Sequence, residues 1–253
     1  MAAIMGMTEY ERAFRLARTE VYHHVLQAAD NFQVDLARLH KQIRQVKPDV
    51  IVLCNPNNPT GSYLSPSGLA AIFQKASGCH FFIDESFVDF GGVGMPWGLI
   101  KEYPVFVLRS MTKFYAMPGI RLGYGVANSK IIAQMRVYKE PWTVNQLALK
   151  ALACVVDDEE YLKTTKEWFR TEKDYLYRRL MAIRSIQVFP SHCNFHLIKY
   201  QNAATSVLQS RLLQAGIYIR TCEDFVGLGG EFYRMAVKTR EDNQRLLAAL
   251  TQI

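Results

Sequence analysis

Short apolar runs alternate with helix-like stretches from Asp49 onward, and this alternation limits the folds open to the chain. Asp49 to Cys54 (DVIVLC), His80 to Asp84 (HFFID) and Val105 to Arg109 (VFVLR) have the composition of buried strands. Between the first two, Ser65 and Pro66 suit the N-cap and first position of a helix extending to about Ala76. The pattern predicts an α/β fold of three layers, α/β/α, with a mostly parallel sheet.

The pattern changes after Pro141. From Val144 to Ile183 the apolar residues fall at helical spacing, with a break expected at Asp157 and Asp158. The remainder mixes strands with helices, which predicts a small α+β unit. The expected strands are Gln187 to Phe189, Phe195 to Lys199 and Phe232 to Val237, and the expected helices are Ala204 to Gln214 and Arg240 to Leu250. We therefore expect a major domain over residues 1–150, followed by a linking helix and a small C-terminal domain over residues 151–253.

The formal net charge of +7 would suit nucleic acid, an anionic membrane or a small phosphorylated ligand. Basic residues are interspersed with acidic ones, as between Arg170 and Arg179, so no basic stripe of the kind that binds nucleic acid is present. Five widely spaced cysteines without a Cys-x-x-Cys pair argue against a disulfide framework or a zinc site and fit a reducing cytoplasm. The sequence contains no apolar run of membrane-spanning length and no leader, so we expect a cytoplasmic protein.

Three polar motifs follow three of the predicted strands, where open α/β sheets bind ligands. They are Asn55 to Gly61 (NPNNPTG), Asp84 to Phe87 (DESF) and Ser110 to Tyr124 (SMTKFYAMPGIRLGY). Each alone has an ordinary explanation: a turn, a helix N-cap or surface acid, and a solvated lysine. Their combination and order indicate a ligand site.

In order and residue type, the three motifs resemble the class I/II aminotransferase family of fold-type I enzymes, which depend on pyridoxal 5'-phosphate (PLP). The resemblance extends from about Glu9 to the C-terminus. Four passages favour the branch that decarboxylates threonine phosphate in cobalamin biosynthesis over the histidinol-phosphate aminotransferase branch, which more usually has Tyr at the position of Phe87. These passages are Asp84 to Phe90, Val107 to Tyr124, Pro141 to Asn145 and Ile219 to Leu228.

The resemblance implies PLP as cofactor and a role for each matching residue. Lys113 would form the Schiff base with PLP, and Asp84 would pair with the pyridinium nitrogen. Asn58 would hydrogen-bond the 3-hydroxyl oxygen. Ser110 and Arg121 would bind the cofactor phosphate, which a guanidinium can contact at two oxygens at once.

Two further arginines match the family's substrate-binding positions. Arg234 would bind the α-carboxylate, and because it interrupts an apolar strand, we expect an anion to face it. Arg220 would lie near the substrate phosphate, although a solvated arginine at a strand end explains it nearly as well. We interpret His192 and His196 as structural residues and expect no metal site.

The resemblance implies decarboxylation of L-threonine O-3-phosphate to aminopropanol phosphate by a homodimer, without nucleic-acid or membrane partners. Transamination would use the same residues, and spacing does not separate the two reactions. Family members also carry an N-terminal Gly-x-Gly-x-x-Glu-like turn and an aromatic residue that stacks on the cofactor. This sequence shows no such turn, and the stacking position falls near Met7.

An alternative hypothesis follows: an N-terminally truncated chain with an incomplete major domain and no independent activity. Nothing in the sequence precedes the expected strand Ala2 to Met5 to pair with it or cover it. The expected strand Arg121 to Val126 would then form an exposed edge, and part of the small domain would expose apolar surface. A nucleic-acid-binding module is a third hypothesis with little support.

Overall fold

Two sheets organise the computed structural model, which describes residues 2–5, 8–201 and 205–252. The strands are β1 (Ala2–Met5), β2 (Val21–His23), β3 (Val50–Cys54), β4 (His80–Asp84), β5 (Val105–Ser110), β6 (Gly123–Ala127), β7 (Ile186–Val188), β8 (Phe195–Tyr200), β9 (Arg220–Thr221) and β10 (Phe232–Ala236). The helices are α1 (Thr8–Leu16), α2 (Leu36–Val46), α3 (Pro66–Lys75), α4 (Trp97–Glu102), α5 (Ser129–Tyr138), α6 (Gln146–Val155), α7 (Glu159–Met181), α8 (Thr205–Gln214) and α9 (Arg240–Thr251).

The larger sheet has the strand order β2-β1-β3-β4-β5-β6. Its first five strands are parallel, and β6 runs antiparallel to β5. The smaller sheet has the order β7-β8-β10-β9 and is antiparallel. The predicted α/β architecture with a mostly parallel sheet is confirmed. No helix in the described ranges combines the length and the apolar character needed to span a membrane.

Local signals in the sequence explain several element boundaries. The Ser65 hydroxyl accepts a hydrogen bond from the Gly68 amide at 3.2 Å and caps α3, with Pro66 at its first position. The Asp158 carboxylate accepts one from the Tyr161 amide at 2.9 Å and caps α7. The expected break between the two long helices is therefore confirmed.

The segment before Asp49 supplies part of the larger sheet. Strand β1 has neighbours on both sides, because it pairs with β2 and β3, which follow it in the chain. Both pairings are parallel and are therefore reached through crossover connections. The N-cap Asp35, which accepts hydrogen bonds from the Ala37 and Arg38 amides, starts α2 in one of these connections.

The last strand of the larger sheet also differs from expectation. It begins at Gly123, and Arg121 precedes it with a left-handed backbone (φ 58°). Strand β6 is the edge of the sheet among the described strands, and its first residues, Gly123 and Tyr124, are exposed. Apolar side chains that follow it, such as Tyr138 and Trp142, are exposed as well.

Two main apolar cores support the sheets. One packs α2 and α3 against β3, β4 and β5. The other joins α7, α9 and the smaller sheet to Phe87, Phe90 and Phe114, which follow strands of the larger sheet. The rings of Phe90 and Phe169 lie 5.0 Å apart within it. The division into domains at residue 150 stays a prediction, and the predicted start of α8 at Ala204 lies outside the described residues.

Candidate active site

The carboxyl ends of β3, β4 and β5 meet at one edge of the larger sheet. Cys54 lies opposite Asp84, and Asp84 lies opposite Leu108 in the parallel register. The three polar motifs therefore leave the sheet side by side. This register brings residues that are distant in sequence into a single site.

The loop after β3 is held in place by its own side chains. The Asn55 amide group donates to the Leu64 carbonyl at 2.9 Å and accepts from the Leu64 amide at 2.7 Å. Gly61 has a φ of 74°, and a Cβ there would lie 2.3 Å from the Ser191 hydroxyl oxygen, so only glycine fits. The loop fixes Asn58, which is buried.

A cavity of about 480 Å³ opens at this edge, and we call it the lysine cavity. Every predicted site residue except Arg220 lines it. Those residues are Asn58, Asp84, Ser110, Lys113, Arg121 and Arg234. Phe87 lines it as well, with its ring 5.2 Å from that of Phe195. The lysine amine and the carboxylate of Asp84 therefore face one pocket, as the sequence motifs predict.

Asp84 is 2% exposed, and both of its oxygens accept hydrogen bonds. Oδ1 accepts from the Ser86 amide at 2.8 Å, and Oδ2 accepts from the hydroxyl of Tyr10 on α1. Burial and the neighbouring carboxylate raise the pKa of Tyr10 well above its ordinary value, so this hydroxyl stays protonated and acts as a donor. A carboxylate offers about four acceptor positions, which leaves room for a further donor on Asp84.

The ammonium of Lys113 donates a hydrogen bond to the Thr112 hydroxyl oxygen at 3.2 Å. Partial burial, and next the positive charge of Arg121, lower the pKa of Lys113, while the Asp84 carboxylate opposes this change. A lowered pKa increases the fraction of neutral amine near neutral pH. A neutral amine is the form that attacks a carbonyl carbon.

Hydroxyl groups and a guanidinium lie near the lysine at the end of β5. The hydroxyl oxygens of Ser110 and Thr112 are 2.8 Å apart, and the Thr112 amide donates to the Ser110 oxygen at 3.3 Å. Arg121 donates to the Pro118 carbonyl at 2.9 Å, which leaves other guanidinium donors available. Such a set of donors suits a phosphate group.

The predicted substrate arginines lie on neighbouring strands of the smaller sheet. Arg234 on β10 donates to the Asn58 side-chain oxygen, and burial lowers its pKa from the ordinary arginine value. Arg220 on β9 is its cross-strand partner in the antiparallel register, so both side chains start from the same face. The Arg220 guanidinium is 2.5 Å from the Asp224 carboxylate and does not line the lysine cavity.

The structure adds site residues that the sequence reasoning missed. Tyr10 and Thr112 line the lysine cavity, as does Arg109. Nε of Arg109 is 2.6 Å from Oε2 of the fully buried Glu85, whose pKa is raised by burial although the guanidinium opposes this. The Ser-x-Thr-Lys spacing could have pointed to Thr112, whereas no local signal marks Tyr10.

The donor set of the lysine cavity fits PLP. A buried carboxylate suits a protonated pyridine nitrogen, and the amine of Lys113 suits covalent attachment. Ser110, Thr112 and Arg121 suit a phosphate, and the Asn58 amide suits a ring oxygen. The ring nitrogen, the aldehyde, the ring oxygen and the phosphate of the cofactor therefore each have a complementary side chain in the lysine cavity.

Comparison with known proteins agrees with this site. The family model described as aminotransferase class I and II matches residues 6–250. The chain therefore belongs to this family, whose members use PLP as cofactor.

The relatives include both decarboxylases and aminotransferases. The threonine-phosphate decarboxylase of Salmonella typhimurium is 36% identical over 260 aligned residues, which cover 100% of this chain and 70% of the relative. The histidinol-phosphate aminotransferase of Caldanaerobacter subterraneus is 31% identical over 88% of this chain and 62% of its own length. The crystal structure of the histidinol-phosphate aminotransferase from Clostridium acetobutylicum superposes with a TM-score of 0.90 at 31% identity, over 99% of this chain and 76% of that one.

Proposed function

We propose that this chain carries out PLP-dependent decarboxylation of L-threonine O-3-phosphate to aminopropanol phosphate. One observation carries the proposal: Arg234 lines the lysine cavity, and Arg220 lies opposite Arg234 on the neighbouring strand β9. Two neighbouring guanidinium groups suit a substrate with two anionic groups, a carboxylate and a phosphate. The 36% identity to a threonine-phosphate decarboxylase supports the same substrate.

Each side chain has a distinct task in this proposal. Arg234 binds the substrate carboxylate, and Arg220 exchanges Asp224 for the substrate phosphate. Asn58 supports Arg234 through its side-chain oxygen. Ser110 and Arg121 would hold the cofactor phosphate, and Lys113 would hold the cofactor covalently. These contacts position the Cα–carboxylate bond for cleavage.

Bound PLP supplies an electron-accepting ring for the electron pair left at the substrate Cα. The Asp84 carboxylate accepts a hydrogen bond from the ring nitrogen and stabilises its protonated state. The bond between Cα and the carboxylate carbon breaks, and CO2 leaves. The ammonium group of Lys113 would donate a proton to Cα in place of the departed carboxylate carbon.

The experiment that tests the proposal measures both products. Purified protein is incubated with PLP and L-threonine O-3-phosphate, and CO2 and aminopropanol phosphate are quantified over time. We expect equal amounts of the two products, and none with the Lys113→Ala variant. Absence of CO2 release by a protein that holds PLP after dialysis would contradict the proposed reaction.

Transamination of histidinol phosphate is the second candidate, and the TM-score of 0.90 to a histidinol-phosphate aminotransferase favours it. It removes the Cα proton of the substrate and leaves the carbon skeleton intact. Incubation with histidinol phosphate and 2-oxoglutarate, followed by detection of glutamate, distinguishes the two reactions. Glutamate formation without CO2 release from threonine phosphate would favour this candidate. A protein that retains no PLP absorbance after dialysis would support the alternative hypothesis of a chain without independent activity.

A further inference from the structure

Arg109 also lines a second cavity, of about 500 Å³, which we call the α7 cavity. It lies between the segment from Val88 to Gly94 and the helix α7. The rings of Phe90 and Phe169 line it and pack against each other at 5.0 Å. Its size falls in the range of small-molecule sites.

The glycine-rich wall of the α7 cavity is held by side chains from elsewhere in the chain. The Tyr63 hydroxyl donates to the Val93 carbonyl at 2.7 Å and accepts from the Val93 amide at 3.0 Å. Nδ1 of His192 donates to the Gly91 carbonyl at 3.0 Å. A Cβ on Gly94 would lie 2.1 Å from Nη2 of Arg109, so the loop and the guanidinium are closely packed. The wall is therefore preorganised for a ligand.

The opposite wall is basic. Lys166, Arg170 and Lys173 all line the cavity from α7, and their spacing of four and three residues places them on one helix face. Lys173 donates to the Ser191 carbonyl at 3.3 Å. Within the described part of the chain, neither Lys166 nor Arg170 forms an ion pair.

The acidic side chains of the α7 cavity offset part of this charge. Burial raises the pKa of Asp89, whereas the nearby positive charges of Arg109 and Lys166 lower it. Asp89 forms an ion pair with Arg109 at 3.3 Å, and Arg109 also contacts Glu85. Glu167 is the other carboxylate that lines the cavity. Like charges one turn apart on a helix repel each other, and a bound anion would relieve that repulsion.

We propose that the α7 cavity binds a small phosphate-bearing anion, at a site separate from the lysine cavity. Lys166 and Arg170 contact its phosphate oxygens, and Lys173 lies about one turn further along α7. A guanidinium next to ammonium groups in a concave site favours phosphate over a single carboxylate, because phosphate offers more charge and more acceptors. This proposal does not depend on the reaction catalysed in the lysine cavity.

The test uses inorganic pyrophosphate as the probe, titrated in a calorimeter at low ionic strength into purified protein that has been saturated with PLP, so that the lysine cavity is occupied. Lys166→Gln/Arg170→Gln should weaken binding at least about tenfold, and Arg170→Gln alone about three- to tenfold. The matched control, Lys163→Gln/Arg178→Gln, removes two charges from α7 outside the cavity lining and should stay within about twofold of the wild type. Circular dichroism verifies that the helix persists in each variant.

An additional variant separates this site from the lysine cavity. Arg121→Gln, which alters the proposed cofactor-phosphate contact, should leave pyrophosphate binding within about twofold of the wild type. Loss of binding in Arg121→Gln alone would overturn the proposal and place the anion in the lysine cavity. If both double variants weakened binding equally, the attraction to α7 would be diffuse and the proposal would be overturned. No measurable binding at millimolar pyrophosphate would overturn it as well.

Discussion

The hydroxyl of Tyr10 donates a hydrogen bond to the carboxylate of Asp84, although the two residues are 74 positions apart in the chain. The Tyr10 ring packs near that of Phe82, 5.3 Å away on the same strand as Asp84. Together with the Ser86 amide, the hydroxyl fixes the orientation of a carboxylate that is almost fully buried. Helix α1 therefore contributes to the lysine cavity through one side chain.

Replacement of Tyr10 by Phe should destabilise the cofactor-free protein by about 1–3 kcal/mol, because a buried carboxylate loses a donor. Urea unfolding followed by circular dichroism measures the change. The control is Tyr22→Phe, which removes an exposed hydrogen bond to Glu20 and should cost less than about 0.5 kcal/mol. If both variants lost the same unfolding free energy, the hydrogen bond to Asp84 would stabilise the protein no more than the exposed one to Glu20.

Covalent capture of PLP by Lys113 should increase with pH, because the neutral amine attacks the cofactor aldehyde. The midpoint should lie below that of an ordinary lysine, since burial and Arg121 lower the pKa of Lys113. Arg121→Gln removes the larger charge contribution and should shift the midpoint to higher pH. Borohydride reduction at a series of pH values, followed by mass spectrometry of the Lys113 peptide, measures the capture.

The control for the Arg121 effect is a cation elsewhere in the chain. Arg136→Gln removes a cation from α5 that does not line the lysine cavity, so it should leave the midpoint unchanged. A midpoint in Arg121→Gln equal to or below that of the wild type would contradict the assigned origin of the lysine pKa.

The two arginines of the smaller sheet should affect substrates differently. Arg234→Gln should raise KM for L-threonine O-3-phosphate by roughly 10- to 100-fold, the value of a charge-assisted hydrogen bond. Arg220→Gln should raise KM for the phosphorylated substrate while leaving any slow reaction of unphosphorylated L-threonine unaffected. Steady-state kinetics with both substrates measures this difference, with Arg178→Gln as the control. If Arg220→Gln changed neither KM, its interpretation as a solvated strand-end arginine would be correct.

The Arg109–Glu85 pair should contribute to stability mainly by avoiding an unpaired buried charge. Arg109→Met should cost about 3–5 kcal/mol, because the fully buried carboxylate loses its partner at 2.6 Å. Arg109→Met/Glu85→Gln should recover much of that loss. Chemical unfolding of the two variants and of Glu85→Gln completes the double-mutant cycle. If the losses of the two single variants added up to the loss of the double variant, the two side chains would not be energetically coupled.

Stability should fall in mild acid because of His196, which is 1% exposed and whose pKa burial lowers to about 4. The unfolded chain protonates this imidazole below its ordinary pKa of 6.5, whereas the folded chain stays neutral until about 4. Unfolding is therefore favoured as the pH decreases through that window, by up to about 3 kcal/mol at its lower end. Above it the contribution is constant.

The measurement for His196 is a comparison with His196→Phe. The difference in unfolding free energy between wild type and variant should shrink or reverse from pH 7 to pH 4, because only the wild type carries this titration. The buried His24, whose pKa is also lowered by burial, is common to both proteins and cancels. A difference that stays constant over this range would contradict a neutral buried His196.

Elements with strong local signals could be predicted from the sequence. The strand HFFID buries Phe81 and Ile83 and ends in the buried acid that lines the lysine cavity. Ser65, which the sequence predicted as an N-cap, begins α3, because a cap acts on backbone groups two or three residues away. The break expected at Asp157 and Asp158 lies where Asp158 caps α7. The placement of Lys113 and Asp84 in one cavity followed from strand ends that share a sheet edge.

Features that depend on distant contacts could not be predicted in the same way. Tyr10 reaches Asp84 from α1, the helix that follows the sheet strand β1. The left-handed backbone at Arg121 lies in a segment whose composition alone resembles a strand. The ion pair of Arg220 with Asp224 depends on local side-chain geometry that composition does not show.

The helix α7 begins beside the lysine-bearing loop and ends at the smaller sheet. The Tyr161 hydroxyl in its first turn donates to the carbonyl of Phe114, the neighbour of Lys113, at 2.9 Å. Its 23 residues form a rod of about 35 Å whose far end packs on β7. The distance between the Lys113 amine and the smaller sheet, which carries Arg234, therefore depends on the length of α7. Inserting or deleting residues mid-helix would rotate and shift one end against the other, so a length change outside the lining of the lysine cavity would misalign Lys113 with Arg234.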